Sequence, residues 1–233
     1  MIFSPPLQSA TLIRRYKRFL ADVTLDDGRE ITVHTANTGA MTGCAETGMR
    51  IWLSHSDNPR RRYPHSWELS EVDTDVLVCV NTARANALVA EAIEQGVINE
   101  LQGFTHLRRE VRFGQENSRV DLLLENSETR CYVEVKNVTL AENGVAAFPD
   151  APSRRGVKHL RELIHMAAQG HRAVLFFCVA RPDVERLRPA GEIDPSYGDT
   201  LRQAAGQGVE ILAYAATVTP RQVRLVRPLT VEL

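Results

Sequence analysis

Seven consecutive apolar residues, Val174-Leu175-Phe176-Phe177-Cys178-Val179-Ala180, constrain this chain more than any other feature. A strand without alternation has no face to offer water, so a segment at 173–180 must be covered on both sides, as central parallel strands are. Its neighbours can supply that cover. Val157, Leu160, Leu163, Ile164 and Ala167 share one face of a helix expected over about 156–169, and a second helix is expected near 198–207. Strand-like segments follow at 209–216 and 221–227, and three more precede at 106–113, 118–125 and 130–138. Gly114-Gln115-Glu116-Asn117 and Asn126-Ser127-Glu128-Thr129 separate those three. This half reads as an α/β domain with a mixed sheet.

The first 80 residues read differently. Leu20–Leu25, Glu30–His34, Arg50–Leu53 and Val76–Val80 are short strand-like pieces divided by turn chemistry such as Asp26-Asp27-Gly28 and Asn37-Thr38-Gly39. Many short strands with little helical periodicity predict a small antiparallel barrel. The pattern changes near Asn81-Thr82: apolar residues at 85, 88, 89, 92 and 93 have helical spacing, Thr82 can cap and Gly96 can stop the helix. Two domains are therefore expected, 1–81 and 82–233.

Charge bears on partners. The net charge is −1, but residues 1–67 carry +3 and the remainder −4. Arg14, Arg15, Lys17 and Arg18 all precede the first acidic residue, Asp22, and Arg60, Arg61 and Arg62 form a second run. These groups can follow a phosphate backbone across the barrel, or simply keep it soluble. Tyr16, Phe19, Trp52, Tyr63 and Trp67 can stack bases, although barrel packing needs large side chains too. Arg154, Arg155 and Lys158 at a helix start suit either an anion site or a solvated first turn, and His159 beside them is the weaker choice as a general base. No apolar run approaches the ~18 residues of a membrane span, and no signal-peptide pattern opens the chain, so no membrane partner is expected. Four widely spaced cysteines without a CxxC pair argue against structural zinc and for reduced thiols in the cytoplasm. Phosphate-loop, HExxH and GxSxG patterns are absent.

The chemistry is densest in the two strands around Asn126–Thr129. If those four residues close a hairpin, Glu125 faces Arg130 and Asp121 sits opposite Glu134. Val120, Leu122, Leu124, Val133 and Val135 then share a core face, while Arg119, Asp121, Tyr132, Glu134 and Lys136 share the other. Directly opposed carboxylates, with Cβ atoms ~5 Å apart, repel by roughly 3 kcal/mol at an effective dielectric of about 20. A proton, a cation or a hard divalent metal such as Mg2+ or Mn2+ can relieve that. Only three lysines stand among 28 basic residues, and one of them, Lys136, stands beside these acids. An ammonium there can steady an attacking water and the charge that develops on a phosphate. The arrangement resembles the PD-(D/E)xK nuclease signature. On these residues alone a solvated salt-bridge face explains it as well.

Longer strings add to this. Tyr132–Leu140, Phe148–Leu163, Phe3-Ser4-Pro5-Pro6-Leu7, Arg15–Asp22 and Asn37-Thr38-Gly39-Ala40-Met41 resemble the sugar fermentation stimulation protein A (SfsA) family over essentially the whole chain. The resemblance implies an N-terminal OB-like barrel and a C-terminal PD-(D/E)xK restriction-endonuclease-like α/β domain. It implies binding of DNA, double- or single-stranded, and a link to the regulation of sugar (maltose) metabolism. The signature falls on Asp121, Glu134 and Lys136 as catalytic residues, although Val120 stands where the strict pattern has proline. Many such nucleases add an acid from the preceding helix. Glu91 is the available one, and it projects opposite the apolar stripe, as a solvated glutamate would. The expected function is a DNA-binding protein with a metal-dependent, nuclease-like phosphodiesterase site. The alternatives are a catalytically silent DNA-binding regulator and a sugar- or nucleotide-sensing effector.

Overall fold

The computed structural model describes residues 1–115 and 118–233. Its fold class is the expected one, a small OB-like β-barrel followed by an α/β domain with a mixed sheet. Five strands close the barrel: β1 (Gln8–Tyr16), β2 (Leu20–Leu25), β3 (Glu30–His34), β4 (Arg50–His55) and β5 (His65–Asp73). A sixth, β6 (Val76–Cys79), pairs with β5. Closure is made by β3 against β5, where His34 pairs with Ser66 in parallel.

Two of these strands escape the pattern reading, each for a physical reason. β1 loses its alternation at a register shift between Leu12 and Arg14, so its buried positions do not repeat by two. β5 turns Ser66, Glu68 and Ser70 into the interior beside Trp67 and Leu69, so it lacks the composition of a buried strand. Trp67 packs in the barrel core and its Nε1 donates to the Leu69 carbonyl and to Ser70 Oγ, leaving it no part in base stacking.

The helix after the barrel begins in a short 3-10 turn, Thr82–Arg84, which leads into α1 (Ala85–Glu94). Asn81, not Thr82, is the cap: its side-chain oxygen accepts from the Ala83 amide. The Thr82 hydroxyl instead donates to the Ala36 carbonyl at 3.2 Å, tying the helix start to the barrel. Ala85, Leu88, Val89, Ala92 and Ile93 are buried as their spacing predicts, and Gly96 follows in the left-handed region at φ +73°.

The remaining elements are β7 (His106–Phe113), β8 (Ser118–Glu125), β9 (Arg130–Val138), β10 (Ala141–Glu142), β11 (Val145–Phe148), α2 (Arg154–Ala168), β12 (Arg172–Val179), β13 (Arg186–Pro189), α3 (Pro195–Gly206), β14 (Glu210–Val218), β15 (Val223–Pro228) and β16 (Thr230–Val231). The main sheet runs β15-β14-β12-β9-β8-β7, with β12 parallel to both neighbours. Val174, Phe176 and Cys178 pack toward the α1 side, while Leu175, Phe177 and Val179 pack with α2 and α3, so both faces of the apolar run are covered. A second small sheet, β10-β11-β13-β16, consists of strands too short to show periodicity in sequence. Glu116 and Asn117 of the turn expected between β7 and β8 lie outside the described residues. All four cysteines are buried and unpaired, and among the described residues no helix is long and apolar enough to cross a membrane.

Candidate active site

The β8–β9 hairpin pairs as the turn dictates, from Glu125 with Arg130 to Leu122 with Val133. Asn126 Oδ1 closes the turn by accepting from the Glu128 and Thr129 amides. The ladder then stops, so Asp121 and Glu134 are not a cross-strand pair. Asp121 Oδ2 accepts instead from the Val135 amide at 2.7 Å, standing in for a main-chain oxygen. The other ladder also skips this level: Arg109 pairs with Leu122 and Val111 with Val120, while Glu110 between them adopts φ +53°. Alternation inverts across the interruption. Leu122, Leu124, Val133 and Val135 pack on the α1 side as expected, but Val120 joins Phe113, Tyr132 and Leu160 on the opposite side. Opening both ladders at one level turns Asp121 out of the sheet and toward a cleft.

Glu134 is the most buried charge there, at 2% exposure. Its Oε1 accepts from Lys136 Nζ at 2.6 Å and is in close contact with His159 Nδ1 from α2. Arg155 Nε donates to His159 Nε2 at 3.3 Å, which leaves the imidazole proton on Nδ1, facing the carboxylate. Among the described residues, Glu134 Oε2 is buried and has no hydrogen-bond partner. Burial pushes the Glu134 carboxyl up, but His159 and Lys136 more than offset it and hold it below the ordinary glutamate value. Asp121 shifts the other way. Burial and the neighbouring Glu134 push it up to about 6, against the pull of the Val135 amide, Asn86 and Lys136. At neutral pH two carboxylates are thus held close together with little water.

Asp121, Glu134 and Lys136 line one cleft of about 350 Å³. Its other walls include Asn37, Thr38 and Gly39 of the barrel, Asn86 of α1, Asp150, and Arg155 of α2. Gly39 is pressed so closely on Asp150 that a Cβ would lie 2.6 and 2.8 Å from its carboxylate oxygens, and the Met41 amide donates to Asp150 Oδ2. A larger residue there would have to push the Asp150 carboxylate aside, and the close approach brings the barrel loop to the edge of the acids.

The basic residues are dispersed more than their sequence positions suggest. Arg15 donates to the carbonyls of Arg18, Asn37 and Gly39, and Arg18 donates to that of Thr38, so both shape the cleft loop from behind. Arg14 pairs with Asp22, and Lys17 is exposed in the β1–β2 turn. Arg60 is exposed, Arg61 donates to Ser66 Oγ, and Arg62 lies over Tyr63; none of the three lines the acid cleft. At the start of α2, Ser153 Oγ already accepts from the Gly156 amide, and Arg155 lines the cleft while Arg154 and Lys158 do not. Glu91 is outside it as well, with Oε1 accepting from the Met1 amine and Gln95. From α1, Ala85 and Asn86 line the cleft, and Asn86 Nδ2 donates to Asp121 Oδ1 at 2.8 Å. Sequence reasoning missed Asn86 and the bond from His159 to Glu134; neither spacing nor composition marks them.

Among the described residues, no three His, Cys, Asp or Glu side chains are grouped to hold a metal ion. The donors present still fit a hard cation that keeps part of its water: the carboxylates of Asp121 and Glu134, of which Glu134 Oε2 is buried and unpartnered among the described residues.

Comparison with known proteins agrees with this architecture. The family model described as the SfsA N-terminal OB domain matches residues 13–80, and that of the sugar fermentation stimulation protein RE domain matches residues 83–222. Sugar fermentation stimulation protein homologs of Thioalkalivibrio sulfidiphilus and Shewanella loihica are 58% and 54% identical, over 100% of this chain and 98% and 100% of theirs. The solved structure of Pyrococcus furiosus SfsA in complex with Ca2+ superposes with a TM-score of 0.91 at 29% identity, covering 100% of this chain and 98% of that one.

Proposed function

Because this chain belongs to the sugar fermentation stimulation protein family, we propose that it is a cytoplasmic DNA-binding protein whose acid cleft hydrolyses phosphodiester bonds with Mg2+ or Mn2+. One observation carries the reading: among the described residues, Glu134 Oε2 is buried without a partner beside a second carboxylate. An orphaned buried acceptor costs about 1–3 kcal/mol, more when charged, and a cation would recover that. The Ca2+ in the Pyrococcus relative lends further support, and four buried free thiols suit a reducing compartment.

Asp121 and Glu134 would hold the ion. When bound, such a cation polarises a phosphoryl oxygen and makes water a stronger acid. The protein's own groups do the rest. Lys136, held at Glu134 Oε1, orients the attacking water and balances charge as the phosphorus–oxygen bond breaks. His159 holds the carboxylate through Oε1, which leaves Oε2 free to take a cation. Arg155 receives the phosphate, and the Asn37–Gly39 loop orients the strand.

A silent regulatory module is the second reading. It is favoured by the Lys136–Glu134 ion pair, which occupies the ammonium, and by the small number of acids. Purified protein incubated with plasmid or single-stranded DNA and Mn2+ separates the two. Cleavage lost in Asp121→Ala and in Lys136→Ala supports the nuclease. Cleavage surviving both marks a contaminant, and DNA binding without cleavage supports the regulator.

A further inference from the structure

A second and larger cleft, of about 500 Å³, lies on the same seam between the barrel and the α/β domain. The two clefts are neighbours in the chain as well as in space. Ala36 lines the larger one and Asn37–Gly39 the acid cleft; Ala83 and Arg84 line the larger one and Thr82 the acid cleft. The hydrogen bond from the Thr82 hydroxyl to the Ala36 carbonyl marks the divide. A polymer leaving the acids along the seam would cross one hydrogen bond and enter the larger cleft.

The chemistry of the two differs. At the base of the larger cleft, Glu68 is fully buried, and Arg84 meets it with Nε at 2.9 Å and NH2 at 2.6 Å, so these charges cancel. Among the described residues, Arg61 has no carboxylate partner, and its one side-chain bond is the NH2 donation to Ser66 Oγ. Around it stand Ser54, Ser56, His34 and His55, the last with Nδ1 3.3 Å from Asp57 Oδ1. Burial, then Arg61, pushes His34 below the ordinary histidine value, keeping its ring uncharged. One cation suits one phosphate, and imidazole rings and hydroxyls suit a base and its edge.

We infer that this second cleft binds the nucleotide next to the reacting phosphate, and that the substrate is a single strand, not a duplex. This rests on the DNA reading above. Both clefts are open on one side and have the volumes of pockets that hold one small ligand, and a base still stacked and paired in a duplex cannot enter one.

Fluorescence anisotropy of the full chain with Ca2+, using labelled oligothymidylate and a duplex of equal length, tests this. Tighter binding of the single strand is expected. Arg61→Ala should weaken it about tenfold and flatten its salt dependence by roughly one phosphate contact. Ser56→Trp, which fills the cleft without removing charge, should weaken it similarly. A 5-bromodeoxyuridine strand should photocrosslink to unaltered protein at peptides holding His34 or His55, which keeps the question decidable if a variant misfolds. Equal or tighter duplex binding that neither substitution changes, or crosslinks confined elsewhere, overturns the inference and leaves the DNA reading intact. Failure of both nucleic acids to bind overturns both.

Discussion

Two buried glutamates divide this molecule into a part that holds shape and a part prepared for a ligand. Glu68 in the barrel is fully buried, and every oxygen is used: Oε1 accepts from Ser54 and Arg84, and Oε2 from Asn81 and Arg84. Glu134 in the sheet is almost as buried, yet among the described residues its two partners crowd onto Oε1 and Oε2 has none. Burial alone does not mark a functional acid. What sets Glu134 apart is an unused charged acceptor beside a second carboxylate, which a bound cation would explain.

The largest expected effect tests the structural half. Glu68→Ala strips the partner from Arg84 and leaves Asn81 and Ser54 unsatisfied. Breaking a buried pair costs 3–5 kcal/mol, and because Arg84 reaches water through its 36% exposed side chain the lower end applies, about 3 kcal/mol. Denaturant unfolding of Glu68→Ala beside Glu134→Gln checks this. If the second loses as much stability as the first, the contrast between the two acids is gone.

Divalent ions probe the other half. At a hundredfold excess over Kd, a ligand of the folded state adds about 2.7 kcal/mol, a rise of roughly 5–10 °C in Tm for a chain of this size. Ca2+ or Mn2+ should produce that rise in the unaltered protein and in Arg61→Ala, but not in Glu134→Gln. A rise that persists in Glu134→Gln would place the ion elsewhere.

The same contrast explains what could be read before the structure. The arms of the hairpin, its turn and the doubly buried strand β12 follow from local pattern, because each is a repeat of one or two residues. The acid geometry does not, because it depends on an interruption. Glu110 at φ +53° has no distinguishing neighbours in sequence, yet it and the Asp121 carboxylate open both ladders and send Val120 to the other face. Asn86 and Glu91 lie on the same helix five residues apart, and the acidic one is the more obvious ligand. The amide reaches the site and the acid pairs with the Met1 amine. Charged residues were easiest to nominate and most often served the scaffold, as Arg15 does on three carbonyls.

A smaller effect sharpens the role given to His159. Outer-shell partners of metal ligands typically carry 10–100-fold in affinity. His159→Ala should weaken ion binding about tenfold, measured by calorimetry. His159→Asn should restore most of it, since the asparagine amide can place an N–H where Nδ1–H now meets Glu134 Oε1. His159→Gln carries its N–H one atom farther out and should rescue less. Equal loss in all three would reduce His159 to packing.

The smallest effect is a difference in pH dependence, and its sign separates Asp121 from an ordinary buried salt bridge. The Asp121 carboxyl sits at about 6 in the folded chain, mainly through burial and then Glu134, against about 3.9 when unfolded. A folded value above the unfolded one means that the ionised form opposes folding. The cost is therefore complete above pH 6 and fades as pH falls from 6 toward 4, where the folded protein takes up the proton first. Asp121→Asn removes that cost but weakens the acceptor offered to the Val135 amide, leaving a net gain of about 1 kcal/mol at pH 7.5. The gain should shrink toward zero by pH 5 in parallel denaturant titrations. An advantage that instead grew as pH fell would mean that Asp121 is held ionised by its neighbours, as Glu134 is. The cleft would then have no unrelieved repulsion for a cation to remove.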